Sequence, residues 1–554
     1  MTLAATSVTL KLINRRAPVN IMLHLDTHEI IKQLADLTSA LSTEKDHILL
    51  LDRIILGCMF LTNADGGTLY TVDEENENQL HFTILHNRSL GIHSKPKHLP
   101  TVEIYNAQGQ ASKLVVAQTF VLQQTINIED VYHSEKYDFS GTRKFDKQLN
   151  YRSQSFLCVP LVDHEGEIIG VLQLINAMDA NNQVMTFPQE QQHLVESLAS
   201  LAATVLTKRR LIDAQRELFE SFIKLMGRAI DHKSPVTGKH CEQVPEIAML
   251  LAEAVNNSDK SRYSTVQFNE QEMYELRIAA WLHDCGKITS PEYIIDKATK
   301  LHTMFDRIAL LESRFREYKL QLQLNHFRTL PTLSATEADL AEQQLQQHCQ
   351  TLDDDIAFLR QSNTGSEFMI DNDVARIQQI AKITWIDDDG HTRYMLTEDE
   401  VENLCIRKGT LLQSEIQVMR DHIKVTIDML ESLPYPKHLA QVPEIACNHH
   451  EHLDGSGYPR GLKAEQLSVR ARIMCIADIF EALTSPDRPY KKGMLLSQAM
   501  NIIGRMVEDE HLDADLFSVF VESGAYIEYA NRHMAPRQID TVDITTLPGL
   551  IQSA

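Results

Sequence analysis

The sequence predicts an α+β multidomain chain. An N-terminal α/β domain with an antiparallel sheet and helices is followed by a long connecting helix and a C-terminal all-α bundle, which a helical-hairpin insertion interrupts. Three observations predict it. Apolar residues alternate with a period of two only between about residues 65 and 176. They recur every three or four residues from Leu194 to Ala229, and from Gln271 onward the apolar runs keep helical spacing.

Residues 1–27 carry Arg15 and Arg16 without a sustained apolar core or a small-residue cleavage site, so they predict an N-terminal extension and no signal peptide. From His28 the positions Ile30, Ile31, Leu34, Leu37 and Leu41 predict a helix that opens the first domain, residues 28–188. Asp65-Gly66-Gly67-Thr68-Leu69-Tyr70 then reads as a turn and strand, and Leu80 to Leu85 as an alternating strand. Phe156–Val162 and Ile168–Asn176 flank His164-Glu165-Gly166 as an antiparallel hairpin.

Pro188 suits a helix start, where its missing N–H costs little. The connecting helix is expected over 189–235. Its apolar positions are Leu194, Leu198, Leu201, Val205, Ile212, Phe219, Phe222, Met226 and Ala229, with Lys208 and Gln215 interrupting a heptad-like seam. That seam predicts a parallel dimer stalk. The third domain is expected over 220–535, with a tail at 536–554. Within it Met304, Ile308, Leu311, Phe315, Tyr318 and Leu322 form one four-three seam, and Leu345, Cys349, Leu352, Ile356 and Leu359 a second. They predict an antiparallel helical hairpin with a loop at 331–339, inside an insertion spanning about 298–405. Asp387-Asp388-Asp389-Gly390 lacks calcium-loop spacing and reads as a hairpin turn.

The net charge of -23 over 554 residues argues against a partner that is a nucleic-acid polymer or an anionic membrane. A local pocket of metals, Lys and Arg can still hold a small anion. The eight cysteines contain no Cys-x-x-Cys pair, and the apolar runs near 48–61 and 194–206 are broken by charges. A cytoplasmic location is the expectation.

Chemistry concentrates in two stretches. His449-His450-Glu451-His452-Leu453-Asp454-Gly455-Ser456-Gly457-Tyr458-Pro459-Arg460-Gly461-Leu462 joins adjacent histidines to a Gly/Pro-rich loop. Adjacent residues on a helix project about 100° apart, so both imidazoles reach one ion only at a terminal turn. Trp281-Leu282-His283-Asp284-Cys285-Gly286-Lys287 delivers His-Asp from an apolar helix and a lysine one turn later. A carboxylate can bridge two cations while the adjacent imidazole fixes one of them. Farther on, Ile473 to Thr484 is an apolar helix carrying Asp478 and Glu481, carboxylates that are expensive to bury unpaired.

These motifs resemble the HD-GYP family of metal-dependent phosphodiesterases, which hydrolyse cyclic dinucleotides. The resemblance implies an all-α HD-type helical bundle holding two divalent metal ions, Fe or Mn by family habit. One ion is implied to take His240, His283, Asp284 and Asp478, and the other His422, His449 and His450, with Asp284 bridging. Where three-metal members carry a glutamate this chain has Val236, which favours two ions. Lys287 is implied to stabilise developing charge or help protonate the leaving 3′-oxygen. Asp454 resembles a residue that orients a ligating imidazole. Arg488 and Lys491 resemble the family's phosphate or guanine contacts, although Pro486 adds one residue to the usual spacing.

The first domain resembles a GAF domain, a small-ligand sensor, through its strand–turn pattern and the Val-Pro-Leu and Gly-Val-Leu-Gln-Leu-Ile-Asn runs. Thr142-Arg143-Lys144-Phe145-Asp146-Lys147 departs from the Asn-Lys-Phe constellation of cyclic-nucleotide-binding members, so the small ligand stays unidentified beside a purely dimerising role. Together the resemblances imply a sensor-regulated, homodimeric hydrolase. It would open cyclic di-GMP to linear pGpG, and on to GMP in some members. No residue in the motifs reads the base, so 3′,3′-cyclic GMP-AMP is a close rival substrate, and a non-catalytic dinucleotide receptor is the alternative of another class. The insertion would serve a protein partner, a dimer contact or bulk.

Overall fold

The computed structural model describes residues 46–73, 76–94, 101–106, 108–233, 239–259, 262–387, 389–485 and 493–551. The expected helix from His28, together with Val236, Pro486, Arg488 and Lys491, lies outside them. The chain divides into two compact units, Met1–Glu217 and Leu218–Ala554.

In the first unit, helix α1 (His47–Leu61) starts where the Asp46 carboxylate accepts the amides of Ile48 and Leu49. One antiparallel sheet follows: β1 (Ala64–Val72), β2 (Gln79–Asn87), β3 (Ile92–Ser94), β4 (Val102–Glu103), β5 (Ile126–Ile128), β6 (Phe156–Val162), β7 (Ile168–Met178) and β8 (Val184–Met185). Helices α2 (Val115–Leu122) and α3 (Ser140–Leu149) interrupt the series. The strand order is β3-β2-β1-β7-β6-β5, with β4 on β2 and β8 on β7. Period-two alternation sorts the side chains. Leu157, Val159, Leu161, Leu172 and Leu174 face α1 and the start of α4 (Gln189–Lys233). Phe156, Cys158 and Val171 face the opposite way, onto Val115 and Val116 of α2.

Helix α4 is continuous through Lys233, but its apolar positions do not form one seam. Val195, Leu198, Ala199, Ala202 and Ala203 pack on the sheet. Ile223 and Ile230, with Phe219 beside them, pack into the bundle core. Leu211, Leu218, Phe222 and Leu225 are exposed by 60, 72, 59 and 62%. The expected seam is therefore corrected to buried stretches at the two ends and an open stripe that keeps only Phe222 of its positions.

The bundle comprises α5 (His240–Asn256), α6 (Glu270–Leu282), α7 (Ile308–Thr329), α8 (Ala335–Asn363), α9 (Asp371–Ala381), α10 (Glu398–Leu404), α11 (Gln413–Arg420), α12 (His422–Glu431), α13 (Val442–Cys447), α14 (Val469–Thr484), α15 (Leu496–Glu508), α16 (Ala514–Glu522) and α17 (Ala525–His533). Helix α5 is central and packs on α6, α14, α16 and α17. Helix α6 begins with a reciprocal cap between Asn269 and Glu272 and ends in the 3₁₀ turn Cys285–Thr289. Gly286 lets that turn lie against α12, since a Cβ there would run into the His422 carbonyl and the Thr426 amide.

In the insertion, α7 and α8 pair and share a separate core with Met369, Ile377, Met395 and Leu404. Met304 is no part of the seam: it precedes α7 and is 95% exposed. The expected 331–339 loop is shorter, because Ser334 caps α8 and Ala335–Asp339 are helical. β9 (Thr384–Ile386) and β10 (Thr392–Tyr394) pair antiparallel, and the Gly390 amide donates to the Asp387 carbonyl between them. Residues 536–551 are not a free tail. Gln538 Nε2 donates to the Thr484 carbonyl at 2.9 Å, and Leu547 lies in the bundle core. No helix of the described residues is long and apolar enough to cross a membrane.

Candidate metal centre

Five separated segments deliver their side chains to one buried spot in the bundle. His240 is the first residue of α5, and His283-Asp284 follow the last turn of α6. His422 opens α12, His449-His450 follow α13, and Asp478 sits within α14. His240, His283, Asp284 and Asp478 bring their ligand atoms within 4.8 Å of one another, and His422, His449 and His450 do the same. The seven residues expected as ligands are thus brought together in the two expected groups.

Asp284 stands between the groups. Its Oδ2 lies 3.0 Å from His240 Nε2 and 3.3 Å from His283 Nε2, while Oδ1 lies 3.4 Å from His422 Nε2 and 3.9 Å from His449 Nε2. Asp478 Oδ1 is 3.3 Å from His240 Nε2. Backbone carbonyls fix the rings. The Nδ1 atoms of His283, His422 and His449 donate to the carbonyls of Ala280 (2.7 Å), Met419 (2.5 Å) and Ala446 (2.6 Å). A carbonyl only accepts, so Nδ1 carries a proton in each ring and Nε2 is the atom turned to the centre, with a lone pair there in the neutral form. His240 Nδ1 is held by Glu481.

A divalent cation fits this donor set. The Nε2 atoms of His240 and His283 face each other at 3.1 Å, and those of His422 and His450 at 3.3 Å. Such spacings bring two ring nitrogens together with a shared proton or a shared metal cation between them. Asp284 Oδ1, His449 Nε2 and Glu481 Oε1 are buried without any hydrogen-bond partner, and such orphans call for an ion or water. Imidazole and carboxylate together suit a first-row transition cation.

Electrostatics divides the two groups. Burial disfavours charge on His240 and His283, yet the carboxylates around them prevail: His240 is raised well above the usual histidine value and His283 to about 9. Burial and the charge of His283 push His449 down to about 4, and burial with His449 beside it pushes His450 down. Burial also opposes charge on Asp284 and Lys287, but each holds the other ionised across a 2.5 Å contact, so the carboxyl is held low and the ammonium high.

One expected role is corrected. Asp454 touches none of the clustered imidazoles: its Oδ1 accepts the Ser456 amide at 2.8 Å, and its Oδ2 lies 4.0 Å from His511 Nε2. The bound loop pulls it away, because Leu453 and Asp454 donate their amides to the carbonyls of His511 and Glu510. The carboxylate that holds a clustered imidazole is Glu481, signalled in sequence only as a second acid on an apolar helix. Glu451, with no such signal, accepts the amides of Arg460 (2.7 Å) and Leu462 (2.9 Å) and shapes the loop. Tyr458 stacks on His450 with centroids 4.7 Å apart, and the Arg420 guanidinium lies 5.0 Å over the Tyr458 ring.

Comparison with known proteins gives the class first. Residues 46–206 match the GAF domain model, and residues 237–358 and 398–516 match two HD domain models. The chain is a GAF–HD protein, and HD domains are metal-dependent. More narrowly, it is 39% identical over 122 residues to a 3′3′-cGAMP-specific phosphodiesterase of Vibrio cholerae, which is 22% of this chain and 27% of that protein. It is also 39% identical over 118 residues to a cyclic di-GMP phosphodiesterase of Pseudomonas aeruginosa, 21% of this chain and 27% of that one. The chain thus spans about a quarter of the length of these curated relatives. Among solved structures, the GAF domain of an Acinetobacter phosphoenolpyruvate-protein phosphotransferase aligns with 33% of this chain and 97% of its own, at 14% identity and a TM-score of 0.26.

Proposed function

We propose that the protein is a metal-dependent phosphodiesterase that opens cyclic di-GMP to linear pGpG under control of its GAF domain. The observation that carries this reading is the placement of Asp284 between two imidazole-lined groups. The two groups suit two divalent ions, Fe or Mn, with Asp284 shared. Bound there, such ions supply Lewis acidity toward a phosphate and a nucleophile at neutral pH. His240, His283, Asp284 and Asp478 would hold one, and His422, His449 and His450 the other.

The remaining groups position and neutralise. Glu481 fixes the tautomer and orientation of His240. Lys287 remains an ammonium beside Asp284, the charge state that stabilises negative charge developing on the leaving 3′-oxygen. Arg420, over Tyr458 at the rim of the His422–His450 group, offers a guanidinium to an anionic substrate. Arg488 and Lys491 are proposed as further phosphate or guanine contacts. The 39% identity to a 3′3′-cGAMP-specific enzyme favours a second reading, the same chemistry on 3′,3′-cyclic GMP-AMP. The exposed stripe on α4 supports a homodimer, with the unidentified GAF ligand acting through it.

The test is direct. Protein loaded with Mn or Fe is incubated with each cyclic dinucleotide, and products are separated by chromatography. Turnover of cyclic di-GMP, lost in Asp284→Ala, is the expected result, and turnover retained in that variant refutes the metal mechanism.

A further inference from the structure

We propose that His452, Asp454 and His511 form a second, surface metal site, separate from the buried centre, that takes a borderline transition cation of the Zn²⁺ class. None of the three belongs to the seven-residue centre, and their ligand atoms lie within 4.8 Å of one another. Two separate segments supply them. His452 and Asp454 lie on the Gly/Pro-rich loop, and His511 on the link between α15 and α16. Backbone pairing already holds these segments side by side, through Leu453 to His511 at 3.2 Å and Asp454 to Glu510 at 3.1 Å.

The side chains are half-committed in a way that leaves one donor each. His452 Nδ1 is engaged by Ser456 Oγ at 2.9 Å, which frees Nε2. Asp454 Oδ1 takes the Ser456 amide, which frees Oδ2. That Oδ2 stands 4.0 Å from His511 Nε2, too far for a hydrogen bond. Two atoms bound to one tetrahedral zinc at about 2 Å each stand roughly 3.3 Å apart, so a small rotation of either side chain closes the gap onto a shared cation. The two imidazoles stack with centroids 4.1 Å apart and planes 22° apart.

Two nitrogen donors and one carboxylate disfavour the hard cations Mg²⁺ and Ca²⁺ and favour zinc, and three protein ligands leave a position for water. His511 and Asp454 are 29 and 31% exposed, so an ion reaches them from solvent. Occupancy would tie the loop to the α15–α16 link. Tyr458 of that loop stacks on His450, and a Cβ at Gly457 would run into the backbone of Glu451 and His452, so the loop has little slack. The cation would thus act as a clamp on the loop that flanks the buried centre.

The test uses the full chain loaded with Mn²⁺, desalted, and titrated with Zn²⁺ while both metals are counted by elemental analysis. Wild type is expected to take up one Zn²⁺ per chain without releasing Mn²⁺. In His511→Gln and in His452→Gln that uptake should weaken by about 10-fold or more, with Mn²⁺ retained as proof of an intact core. Amide exchange at 453–462 should slow on Zn²⁺ addition in wild type and not in the variants. No extra Zn²⁺ in wild type, uptake only in exchange for Mn²⁺, or equal uptake in both variants overturns the site. Failure of the phosphodiesterase reading would show separately, as absence of dinucleotide turnover with Zn²⁺ uptake unchanged.

Discussion

At Asp284 burial and charge pull in opposite directions. The side chain is 1% exposed, and Lys287, His283 and His240 keep it ionised, yet Oδ1 still lacks a hydrogen-bond partner. A buried charge left short of partners destabilises its surroundings by several kcal/mol. Asp284→Asn keeps the shape and removes the charge. It is expected to reduce turnover on the order of 10³-fold or more and to lower metal content per chain. Chelation should depress the thermal midpoint of wild type and leave that of the variant unmoved; equal shifts in both would sink the assignment. Glu481 acts one step removed. Glu481→Gln is expected to weaken metal binding by about 10- to 100-fold while turnover recovers at saturating metal, and loss that added metal does not restore would argue against a positioning role. Of the seven clustered positions, His283-Asp284 and His449-His450 were legible as rare neighbours with few other uses, while His240, His422 and Asp478 were legible only through the family resemblance. Asp454 was misread because its direction depends on pairing with residues 510 and 511, which spacing along the chain does not encode.

Among the elements, α4 shows the limit of periodicity. Its apolar positions suggested one seam, but tertiary packing divides them: Ile223 and Ile230 face the bundle, while Leu211, Leu218, Phe222 and Leu225 stay open at steps of seven, four and three. That spacing is the coiled-coil repeat. Leu218→Glu with Leu225→Glu is expected to convert a dimer to a monomer in sedimentation velocity without changing the helical signal, and an unchanged mass would remove the stalk. The insertion behaves differently. Its two long helices were legible from four-three spacing and the β9–β10 hairpin from its turn residues, whereas α9 was not, being too short to establish a period. Lys300, 1% exposed, ties its core to the end of α10 by donating to the carbonyls of Leu404 (3.0 Å) and Ile406 (2.7 Å). Burial lowers its pKa to about 8. The folded chain therefore releases this proton near pH 8, while the unfolded chain holds it to about 10.4. Stability from this group must rise with pH across that window. The denaturation free energy of wild type minus that of Lys300→Met should thus grow between pH 8 and 10, and a constant difference would contradict the buried ammonium.

For the whole molecule the deciding quantity is charge. The two-part plan was readable from the switch between period two and helical spacing. The convergence of five segments was readable only as a requirement of the chemistry, because contacts between residues as distant as His240 and Glu481 leave no local trace. The net charge of -23 was plain from composition, and it has a kinetic consequence. A cyclic dinucleotide, the proposed substrate, is itself anionic, so it would approach through a repulsive field before meeting Lys287, Arg420 and any bound cations. At about 0.01 M salt the field reaches roughly 30 Å, and at about 0.15 M only about 8 Å. An enzyme steered by a positive surface loses association rate as salt rises. Here the opposite sign is expected: between those two ionic strengths, at fixed saturating metal, kcat/KM for the dinucleotide should rise while kcat stays constant. A fall in kcat/KM would mean that the local cations dominate the approach, and that the acidic surface lies away from the path of the substrate.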